Sequence, residues 1–279
     1  MALPAHATIS ERLGHYGLRV FVGLVLLFLI APILAIIPLS FNSESFFSYP
    51  MPGYSLRWYI GDYGFFTEER WQSALRLSIV IATAATALAT ILGTLAALGL
   101  SRANLPAKAA IMAVLISPMV VPLIISAIGL FFFYAYVGLN GSILGIVLAH
   151  TALAAPFVVI TMTATLASFD HSLTRAAASL GAPPLTVFRK IMLPLVLPGM
   201  ISGALFAFVT SFDEVIVVLF IGGPQQRTLP RQMFSGIREQ ISPTITAAAT
   251  VLIVFSTLLL IGVELLRRRS ERLRGVNPS

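Results

Sequence analysis

Asp213 and Glu214 are the side chains whose type and position most strongly indicate chemistry, because both stand inside a long apolar run. A carboxylate at the centre of a bilayer costs about 2.5–3.5 kcal/mol on insertion scales, so such residues mark functional positions by default. In a passage of low dielectric a carboxylate attracts an ammonium group and repels anions. Because successive helix positions are about 100° apart, we expect one carboxylate to face a polar path and the other to pair with a neighbouring helix or a partner subunit. The alternative is that both are structural and bond to Thr210, Ser211 or a partner subunit.

The other reactive side chains do not match a catalytic or metal-binding pattern. There is no cysteine, which excludes disulfides and thiolate chemistry. The histidines do not have zinc-ligand spacing, and neither of the two lysines follows a phosphate-binding glycine-rich loop. Ser142 and His150 would be about 12 Å apart along one helix, too far to act as a nucleophile and base. We expect His150 to form an interhelical hydrogen bond instead. The lysines and the other histidines are Lys108, Lys190, His6, His15 and His171.

The elements that must position these residues are membrane-spanning helices. Of the 279 residues, 57% are hydrophobic and 10% are charged, whereas soluble domains carry about 25% charged residues. A soluble enzyme domain is therefore excluded. A helix needs about 20 mainly apolar residues to cross the hydrocarbon core. The predicted fold is all-α, a polytopic membrane protein with six transmembrane helices, at roughly 20–39, 74–100, 109–135, 142–168, 195–221 and 245–266.

The net charge of +7 indicates orientation and not nucleic-acid binding, because the basic residues flank the apolar runs. The first run lacks a clear cleavage site and is expected to be a retained anchor. With six spans both termini share one side. The loops of that side hold twelve Lys and Arg residues against six on the other, so both the 1–19 tail and the basic 267–279 tail are predicted to be cytoplasmic. The twelve are Arg12, Arg19, Arg102, Lys108, Arg175, Arg189, Lys190, Arg267, Arg268, Arg269, Arg272 and Arg274.

Small residues and prolines predict how the spans pack. Pro118, Pro122 and Pro156 are expected to disturb the third and fourth spans, because proline removes a backbone donor. The aromatic 40–70 stretch is expected at the membrane–water interface on the outer, non-cytoplasmic side. No internal repeat is evident, which weakens a secondary-transporter interpretation. The second span should approach its neighbours closely through Ala82, Ala85, Ala89, Gly93, Ala96 and Ala97.

The cytoplasmic segment between the fourth and fifth spans, residues 170–194, predicts two short helices. Asp170 or Ser172 is suited to cap the first helix, and Gly181 is suited to end it. Pro183 and Pro184 then separate it from the second. A compact helical elbow of this kind is stiff enough to transmit force to a partner.

The spacing within this segment resembles the EAA loop of permease subunits in ATP-binding-cassette importers. That loop reads Glu-Ala-Ala, three residues, Gly, nine residues, Ile-x-Leu-Pro, and the chain departs from it only at Arg175, where the family has glutamate. We call residues 170–194 the coupling segment. The matching positions are Arg175, Ala176, Ala177, Gly181, Ile191, Leu193 and Pro194.

The similarity extends along nearly the whole chain to permeases of the spermidine/putrescine type. It implies the transmembrane domain of a type I importer in the bacterial inner membrane, which is not itself an enzyme and holds no cofactor. Its implied partners are a cytoplasmic ATPase dimer that hydrolyses ATP and docks on the coupling segment, a second, homologous permease subunit, a periplasmic solute-binding protein and membrane lipid. The further matches are Leu56-Arg57-Trp58-Tyr59, Ser117-Pro118, His150 with Pro156-Phe157, and Ser211-Phe212-Asp213-Glu214.

The resemblance also implies a cationic amine as substrate, with Asp213, Glu214 and Thr210 along its path. Two alternatives stay open: an importer for another small polar solute, such as an amino-acid-like compound, and a secondary transporter.

At the motif position of Arg175, glutamate would complete a capping box with Ser172. Arginine there opposes the helix dipole by about 0.3–1 kcal/mol. Either the ion pair that the family glutamate makes with its ATPase is compensated, or the partner differs.

Overall fold

A computed structural model describes residues 8–48, 50–102, 105–239 and 242–273. These residues form helices and no strand, apart from an isolated bridge between Asn42 and Tyr54. The all-α prediction is therefore confirmed. The helices are α1 (Ile9–Leu39), α2 (Arg57–Ile60), α3 (Glu69–Leu100), α4 (Lys108–Val120), α5 (Leu123–Val137), α6 (Ile143–Ala167), α7 (Ser172–Ser179), α8 (Pro184–Val187), α9 (Leu193–Phe212), α10 (Ile216–Ile221), α11 (Leu229–Glu239) and α12 (Pro243–Leu273).

Five helices in the described part of the chain are long and apolar enough to cross a membrane, and a sixth span exists if α4 and α5 are counted together. The predicted spans 20–39, 74–100 and 245–266 lie inside α1, α3 and α12, and 142–168 matches α6 to within one residue at each end, whereas 109–135 and 195–221 each cross a break between two helices. The predicted 1–19 tail is helical from Ile9, where α1 begins, and the predicted 267–279 tail is helical up to Leu273, where α12 ends. Residues 1–7 and 274–279 lie outside the described residues. The five are Arg12–Leu39, Glu69–Leu100, Ile143–Ala167, Pro184–Phe212 and Pro243–Gly262.

The third predicted span, 109–135, is not one helix. α4 ends at Val120 and α5 begins at Leu123, and the two are bent by 99°. Pro122 has no N–H to continue the ladder, and it holds the preceding Val121 in extended backbone with ψ 132°. Pro118 lies within α4 and Pro156 within α6 without ending either helix. The expected disturbance is thus concentrated at one of the three prolines.

Contacts divide the described residues into two units. One unit holds the residues up to Glu68 together with Glu239–Val254. In it the Trp58 indole N–H donates to the Asn42 carbonyl at 2.6 Å, and the Tyr59 hydroxyl shares a 2.6 Å hydrogen bond with the Ser40 hydroxyl. Trp58 and Tyr59 are buried against Ala247. Part of the aromatic 40–70 stretch therefore forms a small core of its own.

The second unit, Glu69–Arg238 with the residues from Phe255 onward, is built on three helices that pack against one another: α3, α6 and α9. Their shared core contains small and medium side chains, including Ala89, Ala154, Val158 and Ala207. α3 approaches α6 closely at Gly93, where an added Cβ would lie 2.7 Å from the Val158 Cβ. The small residues of the second span therefore serve helix packing, as predicted, and α6 is the main partner of α3.

We expect Gly93→Ala to destabilise the folded chain, although alanine is the better helix former. The new methyl group would overlap Val158, and overpacking of this kind costs about 1–3 kcal/mol. The matched control is Gly99→Ala on the same helix, because no atom lies within 4 Å of a Cβ at that position. Thermal unfolding in detergent should give a lower midpoint for Gly93→Ala and an equal or higher one for Gly99→Ala. Adding Val158→Ala to Gly93→Ala should restore part of the loss, and equal midpoints for the two single variants would contradict this packing argument.

Candidate functional site

The acidic pair lies at a break between two helices. α9 ends at Phe212 and α10 begins at Ile216, so the predicted continuous span 195–221 is interrupted at residues 213–215. Val215 has φ −120° and ψ −36°, outside helical geometry. The argument that Asp213 and Glu214 project about 100° apart on one helix therefore does not apply. Their different environments come from the break instead.

Glu214 caps the second half of this broken helix. The Glu214 side chain is only 4% exposed. The backbone N–H groups of Ile216 and Val217 donate to Glu214 Oε1 at 2.9 and 3.0 Å, and Val217 also donates to Oε2 at 2.9 Å. The first N–H groups of a helix have no intrahelical acceptor, and inside a membrane each needs a partner. The Glu214 carboxylate supplies that partner, so the break is satisfied from within the chain.

His150 joins α6 to this break. Its Nδ1 shares a 2.8 Å hydrogen bond with the Ser211 hydroxyl, and both side chains are buried. The expected interhelical role of His150 is thereby confirmed. Its Nε2 lies 3.8 Å from Glu214 Oε2, too far for a hydrogen bond. Ser142 lies elsewhere, at the start of α6, where its hydroxyl accepts the Gly145 N–H at 3.0 Å.

Asp213 and Thr210 do not belong to the buried cluster of His150, Ser211 and Glu214. The Asp213 side chain is exposed and Thr210 is half-buried one turn earlier. Within the described residues no group hydrogen-bonds to the Asp213 carboxylate or pairs with it as an ion. The structure thus separates two adjacent carboxylates, one engaged by backbone donors and one open to ligand or solvent. Sequence reasoning anticipated two roles but did not identify which carboxylate takes which.

The coupling segment begins with a capped helix. The Asp170 Oδ1 accepts the Ser172 backbone N–H at 2.8 Å, and the Ser172 hydroxyl donates to Asp170 Oδ2 at 2.7 Å. The hydrogen bonds from Ser172 lower the pKa of Asp170, so this carboxylate is charged at neutral pH. Of the two predicted caps, Asp170 is therefore the acceptor. Ser172 is the first residue of α7 and His171 precedes it, so glutamate at position 175 would not complete a capping box with Ser172 as the cap.

Gly181 ends α7 as predicted. It has φ +80°, in the left-handed region that favours glycine. The Ala182 N–H donates to the Ala177 carbonyl at 3.1 Å and the Gly181 N–H to the Ala178 carbonyl at 2.9 Å. This pair of hydrogen bonds is the Schellman motif. It fixes a sharp turn after α7.

The second helix of the coupling segment is not a separate element, contrary to the prediction. α8 starts at Pro184 and passes through a π-helical turn, Phe188–Met192, into α9. Residues 184–212 therefore form one continuous helical run. A displacement of the elbow would act on the fifth span without an intervening loop. Among the motif positions, Arg175, Ala176, Gly181 and Pro194 are exposed, Ile191 and Leu193 are half-buried and Ala177 is buried.

Two leucines stand out on the surface of the coupling segment. Leu180 is 88% exposed and Leu185 is 66% exposed, on either side of the turn at Gly181. Both leucines lie outside the predicted hydrocarbon region, so without a protein partner their apolar side chains are in contact with water. Arg175 and Arg189 are exposed on the same segment. An apolar and basic elbow of this kind fits a protein partner with an apolar groove and acidic groups.

The described residues combine membrane-length helices, a helix broken at a carboxylate and an exposed elbow that continues into a span. This combination is typical of the membrane-spanning component of a transport system. The chain belongs to the family of binding-protein-dependent transport system inner membrane components, which it matches over residues 89–273. It is thus a permease of the ATP-binding-cassette importer type.

Comparison with individual proteins agrees with this assignment. The chain is 34% identical to the spermidine/putrescine transport system permease protein PotC of Haemophilus influenzae over 90% of this chain and 96% of that protein. It is 34% identical to the putrescine transport system permease protein PotI of Escherichia coli K12 over 81% and 82%. A bacterial transporter that imports the acidic polysaccharide alginate has the same fold, with a TM-score of 0.72, 16% identity, and coverage of 94% and 99%.

Proposed function

We propose that this chain is the permease subunit of a polyamine importer and forms half of its translocation pore. The second half is a homologous permease, ATP is hydrolysed by a cytoplasmic ATPase dimer on the coupling segment, and a periplasmic binding protein delivers the solute. Both termini are cytoplasmic in this arrangement. The names of the relatives PotC and PotI support the substrate class, since their similarity covers most of the chain.

The observation that carries the choice of substrate is the exposed Asp213 carboxylate at the helix break. Glu214, beside it, is occupied by backbone N–H groups. Asp213 therefore offers a negative charge that no group of the described chain neutralises. In a passage of low dielectric this charge favours an ammonium group over neutral or anionic solutes. Thr210, one turn earlier, adds a hydroxyl that accepts hydrogen bonds from the same ligand.

The coupling segment supports the proposal that ATP is hydrolysed by a separate protein. Neither lysine of the chain follows a phosphate-binding glycine-rich loop. The exposed Leu180 and Leu185 offer an apolar contact to another protein, and the continuous helix 184–212 connects that contact to the break at Asp213. Rearrangement of the elbow by an ATPase would thus reach the proposed substrate path through a single helix.

We expect Asp213→Asn to lower uptake of spermidine and putrescine by about 10–100-fold, since a hydrogen bond to a charged group contributes about 1.5–3 kcal/mol and 1.4 kcal/mol is a factor of ten. The measurement is ATP-driven uptake of radiolabelled solute in vesicles that contain the complete complex. Asp62→Asn, the same change at an exposed position of the 40–70 stretch, is the control and should leave uptake unchanged.

The same vesicles separate this function from the two alternatives. If excess spermidine does not compete with the transported solute, the substrate is another small polar compound, whereas unchanged polyamine transport by Asp213→Asn would show that the Asp213 carboxylate does not select the solute. If vesicles with this chain alone accumulate solute in an ion gradient without ATP, the chain is a secondary transporter. Either result would overturn the proposal.

A further inference from the structure

His150 lies between two residues that flank the exposed Asp213 carboxylate in the chain. Its Nδ1 shares a 2.8 Å hydrogen bond with the Ser211 hydroxyl, and its Nε2 lies 3.8 Å from Glu214 Oε2. The His150 residue is 1% exposed, and Nε2 has no hydrogen-bond partner within the described residues. A buried polar atom without a partner costs free energy. The function described so far gives this nitrogen no role.

The contacts assign the proton of the His150 ring to Nε2. If Nδ1 carried a proton, Ser211 would accept it, and the proton of the Ser211 hydroxyl would be left without an acceptor, since this hydroxyl makes no other hydrogen bond within the described part of the chain. A ring protonated on both nitrogens would leave the same proton unsatisfied. A lone pair on Nε2 would also be repelled by the Glu214 carboxylate. With the proton on Nε2, Ser211 donates to Nδ1 and the N–H lies near a negative charge.

The helix that carries His150 supports both sides of the break. α6 packs against α9, which ends at the break, and against α10, which begins after it. Ala149 and Leu153, on either side of His150 in α6, belong to the same buried core as Val217 and Val218 of α10. The ring of His150 is therefore held on a helix that contacts both halves of the interrupted span.

The Asp213 carboxylate has no anchor of its own among the described residues. Its backbone N–H donates to the Val209 carbonyl at 3.0 Å, which closes α9. The direction of the carboxylate thus depends on where its neighbours hold the backbone. Ser211 is tied to His150, and Glu214 is tied to the first N–H groups of α10. Loss of the His150 ring would release the first tie and leave a buried hydroxyl to find another partner.

We propose that His150, with its proton on Nε2, is a positioning residue that sets the direction of the Asp213 carboxylate towards the solute. It acts through Ser211 and does not touch the solute. This inference rests on the proposed function for the role of Asp213, whereas the location of the ring proton is independent of what is transported. A binding group that is fixed before the ligand arrives loses less freedom on binding.

The test is a double-mutant cycle on ATP-driven uptake of radiolabelled spermidine by the complete complex in vesicles, with uptake divided by the amount of folded complex. We expect His150→Ala to lower uptake by about tenfold, since misplacing a group by about 1 Å can cost about 100-fold. In the Asp213→Asn background the same change should cause no further loss, because a positioning residue acts only through the group that it positions.

Thr151→Val is the matched control for this cycle. The Thr151 hydroxyl is also buried on α6, but it donates to the Val147 carbonyl of its own helix at 2.7 Å. Its removal should leave uptake unchanged in both backgrounds. Equal losses in Thr151→Val and His150→Ala would show that any buried polar change in α6 has this effect, which would overturn the inference.

Two conservative variants identify the ring nitrogen that matters, even if His150→Ala does not fold. Asparagine places its amide oxygen near the position of Nδ1, where it accepts the Ser211 hydroxyl. Glutamine places its amide near the position of Nε2 instead. His150→Asn should therefore retain most of the uptake, whereas His150→Gln should lose about tenfold, as expected for His150→Ala. The opposite order would mean that the contact with Ser211 is not the one that positions Asp213.

Magic-angle-spinning NMR of the complex with isotope-labelled histidine locates the ring proton directly, and His150→Asn identifies the His150 signal by its loss. The proton should be on Nε2. A proton on Nδ1, or losses that multiply in the double variant, would overturn the inference and leave the proposed function intact. A wild-type complex that does not transport spermidine would overturn the proposed substrate, and the ring proton would still decide the inference. Unchanged uptake in Asp213→Asn would overturn the role of Asp213 and the inference with it.

Discussion

Leu180→Asp is expected to abolish stable binding of the ATPase while leaving the spans folded. Leu180 is 88% exposed beside the turn at Gly181, so removing it leaves no cavity in the chain. In the complex the leucine would be buried, which contributes about 1.5–3 kcal/mol, and an aspartate would have to be desolvated there without a partner. Affinity should fall by at least about tenfold. The measurement is co-purification of the ATPase with the chain in mild detergent, together with ATP-driven uptake.

The control is Ser168→Asp, which introduces the same charge at an exposed position just before the coupling segment. It should retain the ATPase, and Leu180→Met should do so as well. Circular dichroism and thermal unfolding should be the same for all three variants. Retention of the ATPase by Leu180→Asp would mean that the partner does not contact this side of the elbow. The turn at Gly181 would then have no role in coupling.

The sequence predicted the elements that depend on local chemistry. Apolar length alone located the spans, because lipid requires about 20 apolar residues in a helix. Gly181 predicted the end of α7, since only the left-handed conformation closes that turn without strain. Pro122 predicted a disturbance of the third span, although not a bend of 99°. In each case one residue type has a single dominant physical effect.

Hydropathy and residue type did not reveal two features, the break in the fifth span and the continuous helix that follows the turn of the coupling segment. Residues 195–221 are apolar on both sides of Asp213, so hydropathy gives no sign of an interruption. What stabilises the break is the Glu214 carboxylate on the following N–H groups. In the coupling segment, Pro183 and Pro184 were expected to separate α7 from a second short helix, but proline at the first helical position is compatible with a helix of any length.

The cavity lined by Arg70, Ser73, Gln225, Arg227 and Gln232 was also not predictable from the sequence. Arg70 and Arg227 are 157 positions apart and were counted only as loop charges for orientation. The amphipathic helix α11 was not predicted at all. The Gly222-Gly223-Pro224 stretch is a local turn signal, but it does not show what the turn carries. A cavity between distant elements requires knowledge of which helices pack together.

Glu214→Ala should destabilise the chain strongly, in contrast to substitution of the adjacent Asp213. Alanine removes the acceptor for the N–H groups of Ile216, Val217 and Val218. Each buried donor left without an acceptor costs about 1–3 kcal/mol, and no lipid group can replace the carboxylate. We expect a lower yield of folded protein and a lower thermal midpoint in detergent. Faster hydrogen exchange should be confined at first to residues 214–221.

Two variants separate this structural role from transport. Glu214→Gln retains one carbonyl oxygen as acceptor, so it should recover much of the stability and, in the assembled complex, much of the polyamine uptake. Asp213→Ala removes an exposed carboxylate that bonds to no described group, so its thermal midpoint should match that of the wild type while uptake falls. If Glu214→Gln folds normally but loses uptake as completely as Asp213→Asn, the Glu214 carboxylate contacts the solute itself. The division of roles at the helix break would then be wrong.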